Sequence, residues 1–166
     1  MTTTQFNVRL TEIQVAQGDA QFACVGLGSC VGVVVFDPLT KISGVAHIML
    51  PRSRCDETIP RPGKFANTAV PQLIDTMQRL GAEPSRLQAA VAGGAQMCFG
   101  PDVPASLGIG DRNVQAVRDQ LSQRGIRCVA EDCGGNAGRT LTFESGTGRV
   151  LTRTLTDSDR VLCKLG

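Results

Sequence analysis

The chain has 166 residues, of which 42% are hydrophobic and 19% are charged. This length and composition fit one folded domain with a full hydrophobic core, spanning residues 1–166, and they exclude a disordered chain. A net charge of +2, the absence of Tyr and Trp, and the lack of any run of like charges argue against nucleic-acid binding through a basic patch.

Apolar patterns in the first third of the chain predict three strands. Apolar and polar residues alternate over Phe6–Leu10, as in a half-buried strand, and residues 17–19 supply a turn. Continuous apolar runs over Cys30–Phe36 and 42–50 predict strands that are buried on both faces. Because only residues 37–41 connect these two runs, we expect them to be antiparallel neighbours.

Helical spacing appears twice in the rest of the chain. Residues 51–65 are rich in Pro, Arg and Gly and predict a loop. Apolar residues then recur at helical spacing between 69 and 80, and Gly81 is expected to end that helix. We expect Asp111 to cap a second helix, which ends at Gly125.

Short strands are predicted around these helices. Residues 87–92 and 126–130 each predict one strand. Residues 141–143 and 150–155 flank a Ser-Gly-Thr-Gly sequence at 145–148, which predicts a hairpin. Many strands together with two helices predict a mixed α/β domain.

The cysteines indicate the redox compartment. There are seven, at positions 24, 30, 55, 98, 128, 133 and 163. An odd count in a chain of this length predicts reduced thiols, most of them buried. The chain has one histidine and no CxxC pair, so we do not expect a structural zinc site. No apolar stretch reaches the roughly 18–20 residues of a membrane span and no signal peptide is evident, so we expect a soluble, cytoplasmic protein.

The densest cluster of small residues is Gly26–Gly32, with the sequence GLGSCVG. It lacks the third glycine of a dinucleotide fingerprint and the lysine of a P-loop. It places Cys30 after a glycine-rich turn at the head of a buried strand, where backbone N–H groups can face a reacting oxygen. From the residues alone, Cys30 is either a core thiol or a nucleophile.

His47, the one histidine, lies within the second apolar run. Taken alone, a histidine there is more often a core residue than a catalyst. Neighbouring strands lie about 4.8 Å apart, however, so the start of one strand and the end of the next can bring Cys30 and His47 together. A thiol beside an imidazole suffices for nucleophilic acyl transfer, and we expect the imidazole to lower the thiol pKa from its ordinary ~8.5.

Two segments resemble the signature segments of the CheD family, the chemoreceptor glutamine deamidases of bacterial chemotaxis. They are Leu27–Val31 (LGSCV) and Ala46–Pro51 (AHIMLP). The resemblance continues, in the same order, through residues 64–69, 93–97, 109–114, 132–139 and 147–150. It therefore covers nearly the whole chain.

The resemblance implies a fold and a set of site residues. The fold would be a β-sandwich-like core flanked by helices, akin to cysteine hydrolases of the cytotoxic necrotizing toxin type. Cys30 would be the nucleophile and His47 its base, with the N–H groups of Ser29 and Cys30 stabilising the oxyanion. At a third position the family often has a Thr that orients the histidine, and this chain has Cys24. A thiol is a poor hydrogen-bond partner, so the carbonyl of Cys24 or another nearby carbonyl is the alternative.

The resemblance also implies a reaction and its partners. The reaction is hydrolysis of glutamine side chains to glutamate on methyl-accepting chemotaxis receptors, with release of ammonia and without a cofactor or metal. A CheC-type phosphatase is a possible partner. The alternatives are a receptor methylesterase that uses the same residues and a non-catalytic regulator that binds receptors or that phosphatase. The glycine stretches 93–95 and 134–138 either shape the mouth of the site or form tight turns, and turns are the favoured interpretation.

Overall fold

The computed structural model describes residues 2–54, 61–97 and 108–166. These ranges form two α-helices, α1 (Ala66–Arg79) and α2 (Ile109–Gln123), and short 3-10 turns at Pro62–Lys64 and Pro84–Arg86. They also form ten strands: β1 (Thr4–Asn7), β2 (Ile13–Gln17), β3 (Ala20–Leu27), β4 (Val31–Asp37), β5 (Ile42–Ile48), β6 (Gln88–Gly93), β7 (Arg127–Cys133), β8 (Arg139–Glu144), β9 (Arg149–Thr154) and β10 (Arg160–Lys164).

The strands form two five-stranded sheets, in the orders β1-β3-β8-β9-β10 and β2-β5-β4-β6-β7. β4 is the central strand of the second sheet and runs antiparallel to both of its neighbours, β5 and β6. All seven residues of β4 are buried, because the strand has neighbours on both sides and a packed layer on each face. The unbroken apolar run in its sequence follows from this position.

Side chains on opposite faces of β4 belong to two different cores. Val31, Val33 and Val35 pack with apolar residues of α1 and α2. Val34 and Phe36 pack with the other sheet. The layers are therefore a sheet, a second sheet and a pair of helices. The predicted mixed α/β fold, with a β-sandwich-like core flanked by helices, is confirmed.

Several predicted elements are confirmed. The two long apolar runs are β4 and β5, and they pair in an antiparallel register that places Val34 opposite Val45. Both predicted helices are present, and Gly81 and Gly125 follow their ends with φ of +114° and +67°. These left-handed conformations favour glycine. The predicted hairpin is the antiparallel pair β8–β9.

Two predictions are wrong. The strand predicted over Phe6–Leu10 ends at Asn7, because the chain turns there, with Leu10 exposed and Thr11 at a left-handed φ of 68°. Asp111 does not cap α2, since that helix begins after Gly108 and has no side-chain cap. Asp111 instead lies in the first turn, where a carboxylate favours the helix dipole.

Other elements were not predicted. β2, β3 and β10 have no strong apolar alternation in sequence, although alternate residues of β3 are buried over its first half. The predicted loop over 51–65 contains the 3-10 turn at Pro62–Lys64, and its residues 55–60 lie outside the described ranges. Among the described residues, no helix is long and apolar enough to cross a membrane.

Candidate active site

Cys30 and His47 lie at the same end of the β4–β5 pair. Gly32 of β4 is the register partner of His47 in β5, so the two residues face the same side of the sheet. Cys30 precedes Gly32 by two positions and packs against the core between the two sheets. If the register continued by one position past Val31, Cys30 would be a diagonal neighbour of His47. Such neighbours have Cβ atoms roughly 7 Å apart, within reach of longer side chains.

The imidazole of His47 is held through its Nδ1 atom. Nδ1 lies 3.0 Å from the carbonyl oxygen of Val8, the residue that follows β1. A carbonyl only accepts hydrogen bonds, so Nδ1 donates its proton and the neutral ring keeps a lone pair on Nε2. The same turn fixes the backbone of His47, whose carbonyl accepts from Thr11 at 2.9 Å and whose N–H donates to Glu12 at 3.0 Å. The ring is oriented so that Nε2 can act as a base.

Burial disfavours charge on both groups. It raises the pKa of the Cys30 thiol. It also lowers the pKa of His47, and the hydrogen bond to Val8 and the charge of Glu12 only partly offset this effect. The expected lowering of the thiol pKa by the imidazole is therefore wrong, since burial raises the pKa of Cys30 and favours the uncharged form of both groups. In such a pair the proton leaves the thiol as the sulfur attacks.

The segment that carries Cys30 is fixed by the end of β6. Gly94 donates its N–H to the Cys30 carbonyl at 2.9 Å, and Ala95 donates to the Gly28 carbonyl at 2.8 Å. Gly93 has a φ of +111°, and a Cβ there would collide with the Cys30 carbonyl oxygen, so only glycine fits. The stretch 93–95 is thus a tight turn that also lies directly against the segment that carries Cys30.

The second glycine stretch, 134–138, is hydrogen-bonded to the first one, 93–95. Gly134 has a φ of +83° and donates its N–H to the Gly93 carbonyl at 3.0 Å. The buried guanidinium of Arg139 bonds to Asp132 at 2.9 Å and to the Gly134 carbonyl. This stretch is a tight turn that contacts the 93–95 turn, which in turn contacts Cys30.

In the backbone around Cys30, the carbonyl groups accept hydrogen bonds while two N–H groups make no turn or loop hydrogen bond within the described ranges. The carbonyls of Gly28, Ser29 and Cys30 all accept hydrogen bonds. Within the described ranges, no turn or loop hydrogen bond uses the N–H groups of Ser29 or Cys30. These are the two N–H groups that the family resemblance assigns to the oxyanion.

Cys24 is a fully buried residue of β3. Burial raises the pKa of its thiol to about 12. Its Sγ faces β4, since a Cβ built on Gly32 would lie 3.4 Å from it. Cys24 thus lies near the face that carries His47, whose Nδ1 is bonded to the Val8 carbonyl. The sequence left open which carbonyl could hold the ring, and Val8 occupies that position.

As a group, the cysteines of the described ranges are less buried than the sequence predicted. The five in the described ranges are free; Cys24 is fully buried, and Cys30, Cys128, Cys133 and Cys163 are half-buried. The expectation that most cysteines are buried therefore fails for four of these five. Cys55 and Cys98 lie outside the described residues. In the described part of the chain, no cluster of His, Cys, Asp and Glu could hold a metal ion.

A groove of about 590 Å³ opens beside Gly28, two residues before Cys30. Three apolar side chains at its rim, Val25, Met97 and Leu155, are 61%, 49% and 98% exposed. Its walls come from β3, from the start of β8 and from the end of β9. The groove therefore offers an apolar surface next to the segment that carries the thiol.

Sequence reasoning missed two contacts of the site. The Val8 carbonyl has no side-chain signature, so no motif could reveal it. The second is the buried amide of Asn113, which donates to the carbonyls of Ser29 and Met49. Asn113 lies in one of the segments that carry the family resemblance, but no residue pattern indicates its two carbonyl partners.

Comparison with known proteins identifies the family. Residues 49–154 match the family described as CheD chemotactic sensory transduction. The chain belongs to the CheD family. Over 151 residues, 91% of each chain, it is 46% identical to the "Probable chemoreceptor glutamine deamidase CheD" of Desulforamulus reducens. A Clostridium botulinum protein of the same name is 38% identical over 151 residues, which are 91% of this chain and 93% of that protein.

A solved structure shares the fold of this CheD-family chain. It is a Neisseria meningitidis protein of the DUF152 family, with a TM-score of 0.50 and 13% sequence identity, and the match covers 81% of this chain and 63% of that one. At this identity the likeness concerns the fold alone. The predicted CheD resemblance is confirmed by the family match, and the roles of Cys30, His47 and Cys24 stay predictions.

Proposed function

We propose that this CheD-family protein hydrolyses glutamine side chains of chemoreceptors to glutamate and releases ammonia. The observation that carries the proposal is the placement of its one histidine. His47 is the register partner of Gly32, on the face toward the core against which Cys30 packs, and its Nδ1 atom is held by the Val8 carbonyl. Nε2 is therefore left as the proton acceptor. The relatives are named as probable chemoreceptor glutamine deamidases, and these names supply the substrate class.

The first half of the reaction forms a thioester. Cys30 Sγ attacks the carboxamide carbon while His47 Nε2 takes the thiol proton. The negative charge that develops on the amide oxygen faces the N–H groups of Ser29 and Cys30. A donor of this kind contributes about 3–4 kcal/mol in well-studied hydrolases. The imidazolium then returns its proton to the amide nitrogen, the C–N bond breaks, and ammonia leaves.

The second half regenerates the thiol. His47 Nε2 takes a proton from water, whose oxygen attacks the thioester carbon. The C–S bond breaks, the sulfur recovers the proton from the imidazolium, and the glutamate side chain leaves. The net change is glutamine plus water to glutamate plus ammonia. Because His47 alternates between base and acid, its neutral form in the resting protein is the form that starts the cycle.

A protein substrate also needs a surface beside the thiol. The groove next to Gly28 presents Val25, Met97 and Leu155 to solvent. Apolar side chains on the receptor segment around the target glutamine can pack there while the glutamine reaches Cys30. The substrate of this site is therefore a protein side chain held by its neighbours and not free glutamine.

The test is incubation of the full chain with the cytoplasmic region of a chemoreceptor. We expect ammonia release, together with the mass increase that accompanies conversion of one amide to one acid in a receptor peptide. Free glutamine serves as the control and should release far less ammonia. Receptor peptides of unchanged mass would reject the proposal.

Two outcomes would point to the alternatives. Release of methanol from methylated receptor, without ammonia, would identify a methylesterase. Stable receptor binding without either product would identify a non-catalytic regulator. A CheC-type phosphatase as a further partner, expected from the family resemblance, is tested separately by co-purification with the full chain.

A further inference from the structure

The strand pairing that positions Cys30 and His47 ends next to both residues. The β4–β5 register runs from Val31 opposite Ile48 to Asp37 opposite Ile42. Cys30 lies just outside the pairing at one strand, and Met49 lies just outside it at the other. Past that point, Gly94 of the β6 end donates its N–H to the Cys30 carbonyl at 2.9 Å, and Met49 donates its N–H to the Lys64 carbonyl at 3.1 Å. These bonds hold each strand end separately, so a further contact is needed to hold the two ends to each other.

Asn113 bridges these two strand ends. Its Nδ2 atom donates to the Ser29 carbonyl at 2.9 Å and to the Met49 carbonyl at 3.0 Å. Ser29 immediately precedes Cys30, and Met49 follows His47 by two residues. One amide group therefore holds the backbone on both sides of the pair.

The buried amide of Asn113 has its donors hydrogen-bonded and its acceptor unpaired within the described ranges. Asn113 is fully buried. Its Oδ1 atom has no hydrogen-bond partner within the described ranges. A buried acceptor without a partner costs free energy. The hydrogen bonds that Nδ2 donates to the carbonyls of Ser29 and Met49 are therefore the polar contacts through which this side chain stabilises the structure.

The helix that carries Asn113 is fixed against the nucleophile segment. Gly110, in the first turn of α2, approaches so closely that a Cβ there would lie 2.5 Å from the carbonyl oxygens of both Gly94 and Ala95. Gly94 and Ala95 in turn donate to the carbonyls of Cys30 and Gly28. The first turn of α2 therefore packs directly against the residues that hold the Cys30 segment.

We infer that Asn113 is a positioning residue, which sets the separation of Cys30 from His47 by tying the start of β4 to the end of β5. The inference deepens the proposed function, because the pair it positions is the proposed catalytic pair. The two hydrogen bonds of Asn113 go to backbone carbonyls and not to the thiol or the ring, so it acts through the backbone. Its loss should uncouple the pair without unfolding the protein.

The first test is a double-mutant cycle in receptor deamidation. Asn113→Ala should lower kcat/KM at least thirtyfold in a folded protein. In a His47→Ala background the same change should have an effect of less than about threefold, because no pair remains to be positioned. Val117→Ala is the matched control, since it opens a cavity under the same helix at a fully buried residue. It should lower the melting temperature and leave kcat/KM within about threefold.

The second test needs no enzymatic activity. Because the chain has one histidine, the ring signal of His47 in an NMR titration needs no assignment. Replacing Cys30 by Ala should shift the His47 titration in the wild-type background and shift it less in the Asn113→Ala background. If receptors are not deamidated but this difference appears, the proposed function fails and the positioning role stands.

Three results would overturn the inference. One is equal loss from Asn113→Ala with and without His47. Another is a His47 titration that responds to Cys30 equally in both backgrounds, or in neither. The third concerns folding: if Asn113→Ala and the shape-conserving Asn113→Asp both unfold where Val117→Ala stays folded, Asn113 is a stability residue and has no positioning role.

Discussion

The two ends of β4 differ in how far their ionisable groups are compensated for burial by hydrogen bonds. At one end, the fully buried carboxylate of Asp37 accepts from Arg86 at 3.0 and 2.9 Å and from the backbone N–H groups of Leu39, Thr40 and Glu83. At the other end, the half-buried thiol of Cys30 has its pKa raised by burial. The last residue of β4 is therefore a carboxylate with its hydrogen bonds satisfied, and the residue just before the strand is a thiol whose ionisation burial disfavours.

The difference has consequences for pKa at each end. Burial alone would raise the pKa of Asp37, but the hydrogen bonds from Arg86, Glu83, Leu39 and Thr40 outweigh it and hold that pKa well below its usual range. No such set of donors compensates for burial at Cys30 or His47. The hydrogen bonds at Asp37 therefore favour its charged form, whereas burial at Cys30 favours the protonated thiol.

The largest expected effect is at the Cys30 end. Cys30→Ser should lower kcat/KM for receptor deamidation at least a thousandfold, about 4 kcal/mol in the barrier. A serine hydroxyl is a far weaker acid than a thiol, and a lone imidazole activates it poorly. Ammonia release measures the rate, and a thermal melt confirms folding. Cys163→Ser, a second half-buried free thiol, is the control and should keep full activity. Retention of a tenth of the activity by Cys30→Ser would remove Cys30 as the nucleophile.

His47→Ala should cost about a hundredfold or more in kcat/KM, the usual worth of a general base. The wild-type rate should fall as pH decreases through the His47 pKa, because protonated His47 cannot accept the thiol proton. Burial lowers that pKa, so the midpoint should lie below the ordinary value of 6.5. A pH profile of kcat/KM for both proteins is the measurement. An acid limb that persists unchanged in His47→Ala would belong to another group.

At the opposite end of β4, Asp37→Asn should reduce stability and not chemistry. The amide cannot pair with Arg86 and points N–H groups at N–H donors, so we expect a loss of about 2–4 kcal/mol in the free energy of unfolding. Urea unfolding measures the loss, and kcat/KM of the folded protein should be unchanged. Asp75→Asn removes an exposed ion pair with Arg124 and should cost less than about 1 kcal/mol.

The Asp37 effect should depend on pH with a definite sign. The pKa of Asp37 is lower in the folded protein than its ordinary 3.8. Its charge therefore stabilises the fold above that value, and the contribution is lost as pH falls toward the lowered pKa. The stability difference between wild type and Asp37→Asn should be full at neutral pH and shrink on acidification. A difference that grows in acid would contradict the account of this carboxylate.

The smallest expected effect is at Cys24. Because the Val8 carbonyl already holds His47 Nδ1, Cys24→Ala should keep kcat/KM within about tenfold, near the ~1 kcal/mol of one neutral hydrogen bond. Cys24→Thr restores the hydroxyl that the family often has there and should change the rate by no more. A thermal melt separates lost packing from lost chemistry. A hundredfold loss in a folded Cys24→Ala protein would make its thiol a working part of the site.

The sequence by itself determined the pieces that depend on nearby residues. The apolar runs of β4 and β5 and the short connection between them brought Cys30 and His47 to adjacent strands, and helical spacing located α1 and α2. These features are visible because burial and periodicity act over a few neighbouring positions. The family resemblance added the reaction, since its segments are read directly as residues.

Only the tertiary structure decided what holds the site together. The carbonyl that orients His47 belongs to Val8, which is 39 positions away, and the amide next to Cys30 belongs to Asn113, which is 84 positions from its partner Ser29. A backbone carbonyl has the same chemistry at every residue, so no sequence pattern marks the one that a ring will meet. The order of strands in the two sheets brings these groups together, and pairing between distant segments leaves little local trace in sequence.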